Sequence, residues 1–194
     1  DSIPPEEQKK FLTLIYSQTE HTLKLLEDLL EWVQLKQPQT EFSPRPIQFK
    51  TMIEEVLIGF STVLQTKEVT IEIQAHPNLQ ITADLKMIQT ILRNLISNAI
   101  KFSYPQQKII VQAKEEQEEY RIAIIDFGAG MDTVTLNKLK KTGSYHSSLG
   151  TKGEVGTGLG LELCKELLEH HKGKLVIESK KDEGSTFLFT LPKI

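Results

Sequence analysis

The chain has 194 residues, of which 39% are hydrophobic and 25% charged, as in an ordinary globular protein. Its 23 lysines and arginines against 26 aspartates and glutamates give a net charge of -3 without a basic block, which disfavours nucleic-acid binding. No apolar run approaches the ~20 residues that span a bilayer. The first residues lack a signal-peptide pattern, and the single cysteine, Cys164, permits no internal disulfide. We therefore expect a reduced, cytoplasmic chain without direct membrane contact.

The first segment predicts a long helix with a wide apolar side. Apolar residues recur there at helical spacing along two adjacent lines, namely Phe11, Ile15, Leu25, Leu29 and Trp32, and Leu14, Leu26, Leu30 and Val33. Such a stripe covers about half of a helix and favours a coiled coil or a helical bundle. Pro38 is expected to stop the helix, and the proline-rich residues 37–46 indicate an extended linker. We therefore divide the chain into residues 1–40 and 41–194.

Beyond the linker, strand and helix patterns alternate. Strands are predicted at residues 47–49, 69–74, 79–82, 109–113, 120–125, 174–179 and 185–191. Helices are predicted at about residues 50–65, at 84–102 with Asp84 as the N-cap, and at 159–171 with Gly173 as the terminator. Adjacent strands with helices between the pairs predict an α+β fold, a two-layer sandwich of a mixed, mostly antiparallel sheet with helices on one face. The long bundle-forming helix precedes it.

Two asparagines and a lysine stand out on the predicted helix 84–102. Asn94 and Asn98 lie four residues apart and share one helix face, and Lys101 follows about one turn later. An amide oxygen is a hard, neutral ligand that suits Mg²⁺, and the lysine would reach a phosphate. Hydrogen bonds from both asparagines to neighbouring loops would explain them equally well.

A carboxylate and two glycines follow the strand predicted at residues 120–125. Asp126 ends this strand, and Gly128 and Gly130 let the chain turn sharply beside it. A carboxylate in that place can accept a hydrogen bond from an exocyclic amine such as N6 of adenine. Taken alone, however, the segment favours a simple turn in which Asp126 caps a helix.

A glycine-rich stretch, residues 153–160, opens the last predicted helix. Glycines before a helix N-terminus present free N–H groups and the positive end of a dipole to phosphate. The stretch is not a P-loop, because no Gly-Lys-Ser/Thr follows at the required spacing. It is not a dinucleotide fingerprint either, because Gly156, Gly158 and Gly160 alternate.

In this order and spacing, the three segments resemble the N box (residues 94–102), G1 box (126–130) and G2 box (153–160) of the ATP-binding domain of sensor histidine kinases. This domain is part of a superfamily that includes gyrase, heat-shock chaperones and mismatch-repair proteins. The resemblance covers about residues 41–194 and extends to the closing Gly184-Ser185-Thr186-Phe187. It implies ATP and Mg²⁺ as cofactors.

The resemblance also implies roles for individual residues. Asn98, assisted by Asn94, would coordinate Mg²⁺, and Lys101 would contact phosphate. Asp126 would bind the adenine amino group, and Thr186 would help to hold water there. The G2 glycines would border a lid over about residues 132–155, in which Lys152 would contact the γ-phosphate. The residues expected to bind nucleotide are Asn94, Asn98, Lys101, Phe102, Asp126, Gly128, Gly130, Lys152, Gly156, Thr157, Gly158, Leu159, Gly160 and Thr186.

Two positions depart from the pattern. Phe127 stands where the G1 box usually has asparagine; it could pack inward without disturbing Asp126, but any polar role of the asparagine is lost. Residues 135–139 offer leucines where the family often has aromatic residues before the lid. His21, in addition, lacks the acidic residue and proline that follow the phosphorylated histidine of the family. The first helix therefore resembles the second, non-phosphorylated helix of the dimerisation hairpin.

The implied function is transfer of the ATP γ-phosphate to a histidine on a hairpin helix absent from this chain, with no catalytic residue in the chain itself. The phosphoryl group would pass on to the receiver domain of a response regulator. The full-length protein would be a homodimer in the inner membrane, and this chain a fragment of it. An ATP-driven clamp is disfavoured, because residues 84–98 contain no glutamate. A serine kinase of the anti-sigma type, a non-catalytic pseudokinase and a ligand-free domain remain as alternatives.

Overall fold

The structure is a computed structural model that describes residues 4–35, 42–140, 150–152, 154 and 158–193. Its helices are α1 (Pro5–Leu35), α2 (Phe49–Ile58), α3 (Ser61–Lys67), α4 (Leu85–Phe102), α5 (Thr133–Lys140) and α6 (Gly160–His170). Its strands are β1 (Arg45–Gln48), β2 (Thr70–Ala75), β3 (Gln80–Ala83), β4 (Lys108–Glu115), β5 (Glu119–Asp126), β6 (Lys174–Lys180) and β7 (Gly184–Pro192).

A five-stranded sheet forms one layer of the domain, in the order β2-β4-β5-β7-β6. Only β2 and β4 are parallel, and the other neighbours are antiparallel. Helices pack on one face of this sheet, which confirms the predicted mixed α+β sandwich. A separate antiparallel pair, β1 with β3, leads into α4.

Helix α4 lies at the centre of the helical layer. Its apolar side is fully buried, through residues such as Ile88, Ile91 and Leu95. The predicted N-cap is confirmed, because the Asp84 carboxylate accepts hydrogen bonds from the backbone N–H groups of Lys86 and Met87. The sequence pattern therefore fixes both the start and the buried side of the helix that carries the N box.

Two predicted elements differ from the structure. The helix predicted at residues 50–65 is two helices, α2 and α3, separated at Gly59 and Phe60. After α6, Lys172 rather than Gly173 adopts the left-handed conformation, with φ of 55°. Gly173 serves a different purpose, because a Cβ atom there would lie 2.1 Å from the backbone oxygen of Thr190. A side chain would therefore separate this turn from β7.

The second half of the predicted linker is anchored to the domain. The backbone N–H of Ser43 donates to a carboxylate oxygen of Asp84 at 3.1 Å, and the Phe42 ring meets the His171 ring edge-on at 4.8 Å. The last two residues of the predicted linker belong to β1. Residues 36–41 and the side chain of His21 lie outside the part of the chain that the structure describes.

Helix α1 contacts the domain through α6 and exposes much of its apolar side. Its described apolar side chains include ten that are exposed, namely Phe11, Leu12, Leu14, Ile15, Tyr16, Leu23, Leu26, Leu29, Leu30 and Val33. Among the described residues, no helix is both long enough and apolar enough to cross a membrane.

Candidate nucleotide-binding site

The N box lies along the exposed margin of α4 and continues to its C-terminus. Asn94 and Asn98 are both half-buried on one side of the helix. The amide nitrogen of Asn94 donates to the backbone oxygen of Thr90 at 3.0 Å, so its Oδ1 is oriented away from the helix backbone. Among the described residues, Asn98 has no side-chain hydrogen-bond partner. Both amide oxygens are thus suitably placed to accept a ligand from the same side.

Lys101 and Phe102 end this helix. The Lys101 ammonium lies 4.8 Å from the centre of the Phe102 ring. Burial lowers the pKa of Lys101; the nearby Glu154 carboxylate opposes this shift, and the Lys67 ammonium adds to it. The lysine is therefore a partly desolvated cation at the end of the N box, where its attraction for an anion is stronger than in water.

Asp126 lies at the end of β5 and is almost completely buried, with 3% of its surface exposed. Its carboxylate accepts a hydrogen bond from the backbone N–H of Gly128 at 3.0 Å. Burial raises the pKa of Asp126 to about 6, although the N–H groups of Gly128 and Ser185 partly oppose the shift. This carboxylate is a buried acceptor that two backbone donors hold in place.

The G1 loop, residues 126–130, is joined directly to the end of the N box. The backbone N–H of Ala129 donates to the Phe102 oxygen at 3.0 Å. A Cβ atom at Gly128 would lie only 2.0 Å from the same oxygen, so the absence of a side chain permits this approach. Gly130 has φ of +57°, and a Cβ atom there would lie 1.9 Å from the Lys180 oxygen. The two glycines therefore fit the loop between α4 and the β6–β7 turn.

The described part of the G2 box meets the N box at the start of α6. A Cβ atom at Gly160 would lie 2.4 Å from Oδ1 of Asn94, so the first turn of α6 is next to this amide. Leu159 is the N-cap and its side chain makes no capping hydrogen bond, while Gly158 is left-handed with φ of +76°. The predicted residues Gly156 and Thr157 lie outside the described residues. The described ones place a helix N-terminus beside Asn94.

The pairing register shows that the assignment of Thr186 to the adenine site is wrong. Asp126 is paired with Ser185, whereas Thr186 is paired with Ile125. Directly paired residues point to the same face of a sheet, so Thr186 lies on the face opposite to the Asp126 side chain. Ser185 is the polar residue beside Asp126, and its hydroxyl lies 3.0 Å from the hydroxyl of Ser179. The alternation that places Phe187 and Phe189 inward would have identified Ser185.

The side chain of Lys152 has its hydrogen-bond partner outside the N box. Its side chain is exposed, and its ammonium donates to the backbone oxygen of Thr66 in α3 at 3.2 Å. The cation that contacts the end of α4 is instead Lys67, which donates to the Lys101 oxygen at 2.6 Å. Sequence reasoning missed Lys67, because this residue lies just beyond the end of the helix predicted at residues 50–65, three residues after Leu64.

Phe127 does not pack inward, because 43% of its surface is exposed. Its backbone oxygen accepts a hydrogen bond from the Gln107 side chain at 2.6 Å. The position lies on the outer side of the G1 loop, where an apolar ring leaves Asp126 undisturbed.

Residues 135–139, which lack the expected aromatic residues, lie within α5. The ammonium of Lys165 in α6 donates to the Leu139 oxygen there at 3.1 Å.

Residues 83–194 match the family described as histidine kinase-, DNA gyrase B-, and HSP90-like ATPase. The chain is 30% identical over 200 residues to the autoinducer 2 sensor kinase/phosphatase LuxQ of Vibrio harveyi, an alignment that covers 99% of this chain and 23% of LuxQ. It is 31% identical over 195 residues to the circadian input-output histidine kinase CikA of Synechococcus elongatus, covering 97% of this chain and 25% of CikA. The chain thus spans about a quarter of the length of these curated relatives.

Solved histidine kinase structures have the same fold. The structure of the histidine kinase AdeS of Acinetobacter baumannii superposes with a TM-score of 0.74 at 22% identity, over 99% of this chain and 86% of that one. Full-length ShkA in complex with AMPPNP gives a TM-score of 0.75 at 23% identity, over 99% of this chain and 40% of ShkA. With the family match over residues 83–194, the resemblance found in the three boxes is confirmed. The chain belongs to the histidine kinase-, DNA gyrase B- and HSP90-like ATPase family and contains its ATP-binding domain.

Proposed function

We propose that this chain is the ATP-binding catalytic part of a two-component sensor histidine kinase, which transfers the γ-phosphoryl group of ATP to a histidine outside this chain. One observation carries the proposal. A buried carboxylate at Asp126 and the polar end of α4 are joined through the hydrogen bond between Ala129 and Phe102. This hydrogen bond therefore joins the loop beside a site for an amine to the end of the helix that bears a site for phosphates. The sequence relatives LuxQ and CikA are both named as kinases.

The adenine end of the proposed site is formed by Asp126 and the neighbouring hairpin. When ionised, the Asp126 carboxylate accepts a hydrogen bond from the exocyclic amine of adenine. Ser185 supports this role, because its backbone N–H hydrogen-bonds the carboxylate and its hydroxyl lies on the same face of the sheet. Gly184, with φ of +104°, lets the chain pass close to the backbone oxygen of Asp126. A buried carboxylate without a hydrogen-bond donor is costly, so the Asp126 site favours a base such as adenine, whose exocyclic amine donates to it.

The metal and phosphate end is formed by α4 and the start of α6. The residues present fit Mg²⁺, because the Asn98 amide has no partner among the described residues and the amide nitrogen of Asn94 already donates to Thr90. Both oxygens would therefore be available as hard, neutral ligands. Lys101 supplies a positive charge, and the first N–H groups of α6 lie beside Asn94. When bound, Mg²⁺ would neutralise the charge that develops on the phosphates.

Positioning and electrostatics would carry the reaction. Asp126 would hold the base, Asn98 the metal and Lys101 the phosphates, so the γ-phosphate would be presented in one orientation. An imidazole nitrogen from another helix then attacks in line with the departing oxygen of ADP. The phosphoryl group is passed to an aspartate in the receiver domain of a response regulator. The structural neighbour ThkA, which has a TM-score of 0.75, was solved in complex with the response regulator TrrA.

Helix α1 supports the placement of this chain within a larger kinase. Its exposed apolar side, including Leu26 and Leu30, is suited to a helical bundle with a hairpin partner and a second copy. We assign residues 1–40 to the second helix of the dimerisation hairpin and its linker, and residues 41–194 to the catalytic domain. In this proposal the full-length protein is a homodimer of the inner membrane, and this part faces the cytoplasm.

Calorimetric titration with ATP, with and without Mg²⁺, tests the proposal. We expect binding between micromolar and millimolar Kd, strengthened by Mg²⁺ and abolished in Asp126→Asn. Asn98→Ala should remove the effect of Mg²⁺ but leave adenosine binding unchanged. Transfer of ³²P from labelled ATP to a supplied acceptor helix then distinguishes a kinase from a non-catalytic module. A parent chain that binds no ATP would contradict the assignment for this chain.

A further inference from the structure

Lys67 is a buried cation that the proposed site does not yet explain. It is the last residue of α3, and only 2% of its surface is exposed. Its ammonium donates to the backbone oxygen of Lys101 at 2.6 Å and forms an ion pair with Glu154 at 2.7 Å. Lysine is almost never fully buried unless it is paired. The pair thus links the end of the N box to Glu154, near the start of the G2 box.

The residues around Glu154 dock onto the same end of α4. The backbone N–H of Thr151 donates to the Lys101 oxygen at 3.1 Å, and its hydroxyl donates to the Ser103 oxygen at 2.7 Å and lies 3.2 Å from the Lys101 oxygen. The backbone N–H of Lys152 donates to the Glu154 carboxylate at 2.8 Å. The Lys101 carbonyl group, in the last turn of α4, is therefore satisfied by this turn and by Lys67.

Three charges meet at this point: Lys67 and Lys101 are positive, and Glu154 is negative. Burial alone would raise the pKa of Glu154, but the hydrogen bond from Lys67 holds it below its usual value, so the carboxylate is ionised. Gly150 lies between the charged groups, since a Cβ atom there would come within 2.3 Å of Oε2 of Glu154 and 2.6 Å of Cγ of Lys101. Glu154 is thus close enough to compete with a phosphate for Lys101.

We propose that Lys67 is a positioning residue for phosphate binding: it binds the Glu154 carboxylate and keeps the end of the N box positively charged. With Lys67 present, the three groups carry one net positive charge. Without it, the Glu154 carboxylate turns to Lys101 and cancels the charge that attracts ATP. This inference rests on the proposed nucleotide site and adds Lys67 and Glu154 to the residues that determine its affinity for phosphates.

ATP titration of two variants tests this inference. Lys67→Met retains the length of the side chain but removes its charge, and we expect ATP to bind about tenfold more weakly. The double variant Lys67→Met/Glu154→Gln removes the competing carboxylate as well, so its Kd should return to within about threefold of the parent value. Lys108→Met is the matched control, because Lys108 forms an exposed ion pair with Glu72 on the sheet. Its Kd should not change.

Adenosine titration and thermal melting show whether each variant is folded, because neither depends on the phosphates. If Lys67→Met binds ATP as tightly as the parent, or if the double variant stays as weak as the single one, the inference is overturned. If Lys67→Met does not fold, Glu154→Gln alone decides: the inference requires parental or tighter ATP binding, and a tenfold loss would overturn it. A parent chain that fails to bind ATP would instead contradict the proposed function.

Discussion

Asp126 and Ser185 are directly paired across β5 and β7, and their side chains lie on the face of the sheet that the helices cover. The backbone N–H of Ser185 hydrogen-bonds the Asp126 carboxylate. The Ser185 hydroxyl, in turn, lies 3.0 Å from the Ser179 hydroxyl, which accepts a hydrogen bond from the backbone N–H of Met131, directly after the G1 loop. The closing hairpin therefore helps to hold the carboxylate and the loop that follows it.

This pairing predicts that Ser185 and its neighbour Thr186 differ in importance for adenine binding. Ser185→Ala should weaken adenosine binding about three- to tenfold, because one hydrogen bond in the pocket is worth about 0.5–1.5 kcal/mol. Thr186→Ala is the matched control on the opposite face and should bind as the parent does. Calorimetric titration with adenosine measures both. An equal loss of adenosine affinity in the two variants would show that the strand register does not determine which of the two residues contributes to adenine binding.

The raised pKa of Asp126 predicts that adenine binding depends on pH. The carboxylate must be ionised to accept a hydrogen bond from the adenine amine, and burial raises its pKa to about 6. Affinity should therefore be constant above pH 7 and fall about tenfold for each pH unit below 6. Adenosine is the appropriate probe, because it has no phosphate that titrates in this range. Circular dichroism at each pH confirms that the protein is still folded, and an affinity that does not change between pH 7 and 5 would contradict the prediction.

Local patterns predicted the elements of this site better than its contacts. The polar margin of α4 and the end of β5 follow from helical and strand periodicity, which places Asn94, Asn98 and Asp126, while their roles in nucleotide binding come from the resemblance in the three boxes and stay a prediction. The ion pair between Lys67 and Glu154 joins residues 87 positions apart, and no periodicity predicts which distant partner a lysine meets. The Thr186 assignment fails for another reason: alternation along β7 puts Ser185, not Thr186, on the same face as Phe187, and the pairing places that face beside Asp126.

Asp126→Asn should stabilise the nucleotide-free protein while it abolishes ATP binding. The folded state raises the pKa of this group from 3.8 to about 6, so the stability it contributes is complete below pH 3.8 and is lost as the pH rises through 6. Since one pKa unit corresponds to 1.36 kcal/mol, ionisation at pH 7 costs up to about 3 kcal/mol. The amide removes that cost, and a gain of about 1–3 kcal/mol should appear in urea unfolding at pH 7.

The gain from Asp126→Asn must disappear below pH 4, where the parent carboxyl group is neutral in both states. A gain that persists at low pH would show that the amide acts through packing rather than through charge. Loss of stability at pH 7 would show that the hydrogen bonds from Gly128 and Ser185 outweigh the burial of the charge. ATP titration of the same sample keeps the two effects apart, because a more stable protein that no longer binds nucleotide is folded.

His171 predicts the opposite pH dependence of stability. Its Nε2 accepts from the Asp84 backbone N–H at 3.1 Å, and its Nδ1 donates to the Leu167 oxygen at 2.8 Å, so the neutral ring fits both partners. Burial lowers the pKa of His171, although the Leu167 oxygen and the Asp84 carboxylate oppose the shift. The folded state thus binds fewer protons than the unfolded state below pH 6.5. The free energy of unfolding should therefore decrease as the pH is lowered in this range.

His171→Leu removes both hydrogen bonds and leaves two buried backbone groups unpaired, which should cost about 2–3 kcal/mol at pH 7.5. As the pH falls from 6.5 to 5, protonation of His171 destabilises the parent, but the variant has no such group. The difference in stability between the two proteins should therefore shrink. Asp126 titrates in the same range, but it is present in both proteins and cancels from the difference. His170→Gln, an exposed neighbour, should leave stability within about 0.5 kcal/mol of the parent. Urea unfolding at pH 7.5 and 5.5 measures all three proteins, and a difference between His171→Leu and the parent that is the same at both values would exclude His171 as the titrating group.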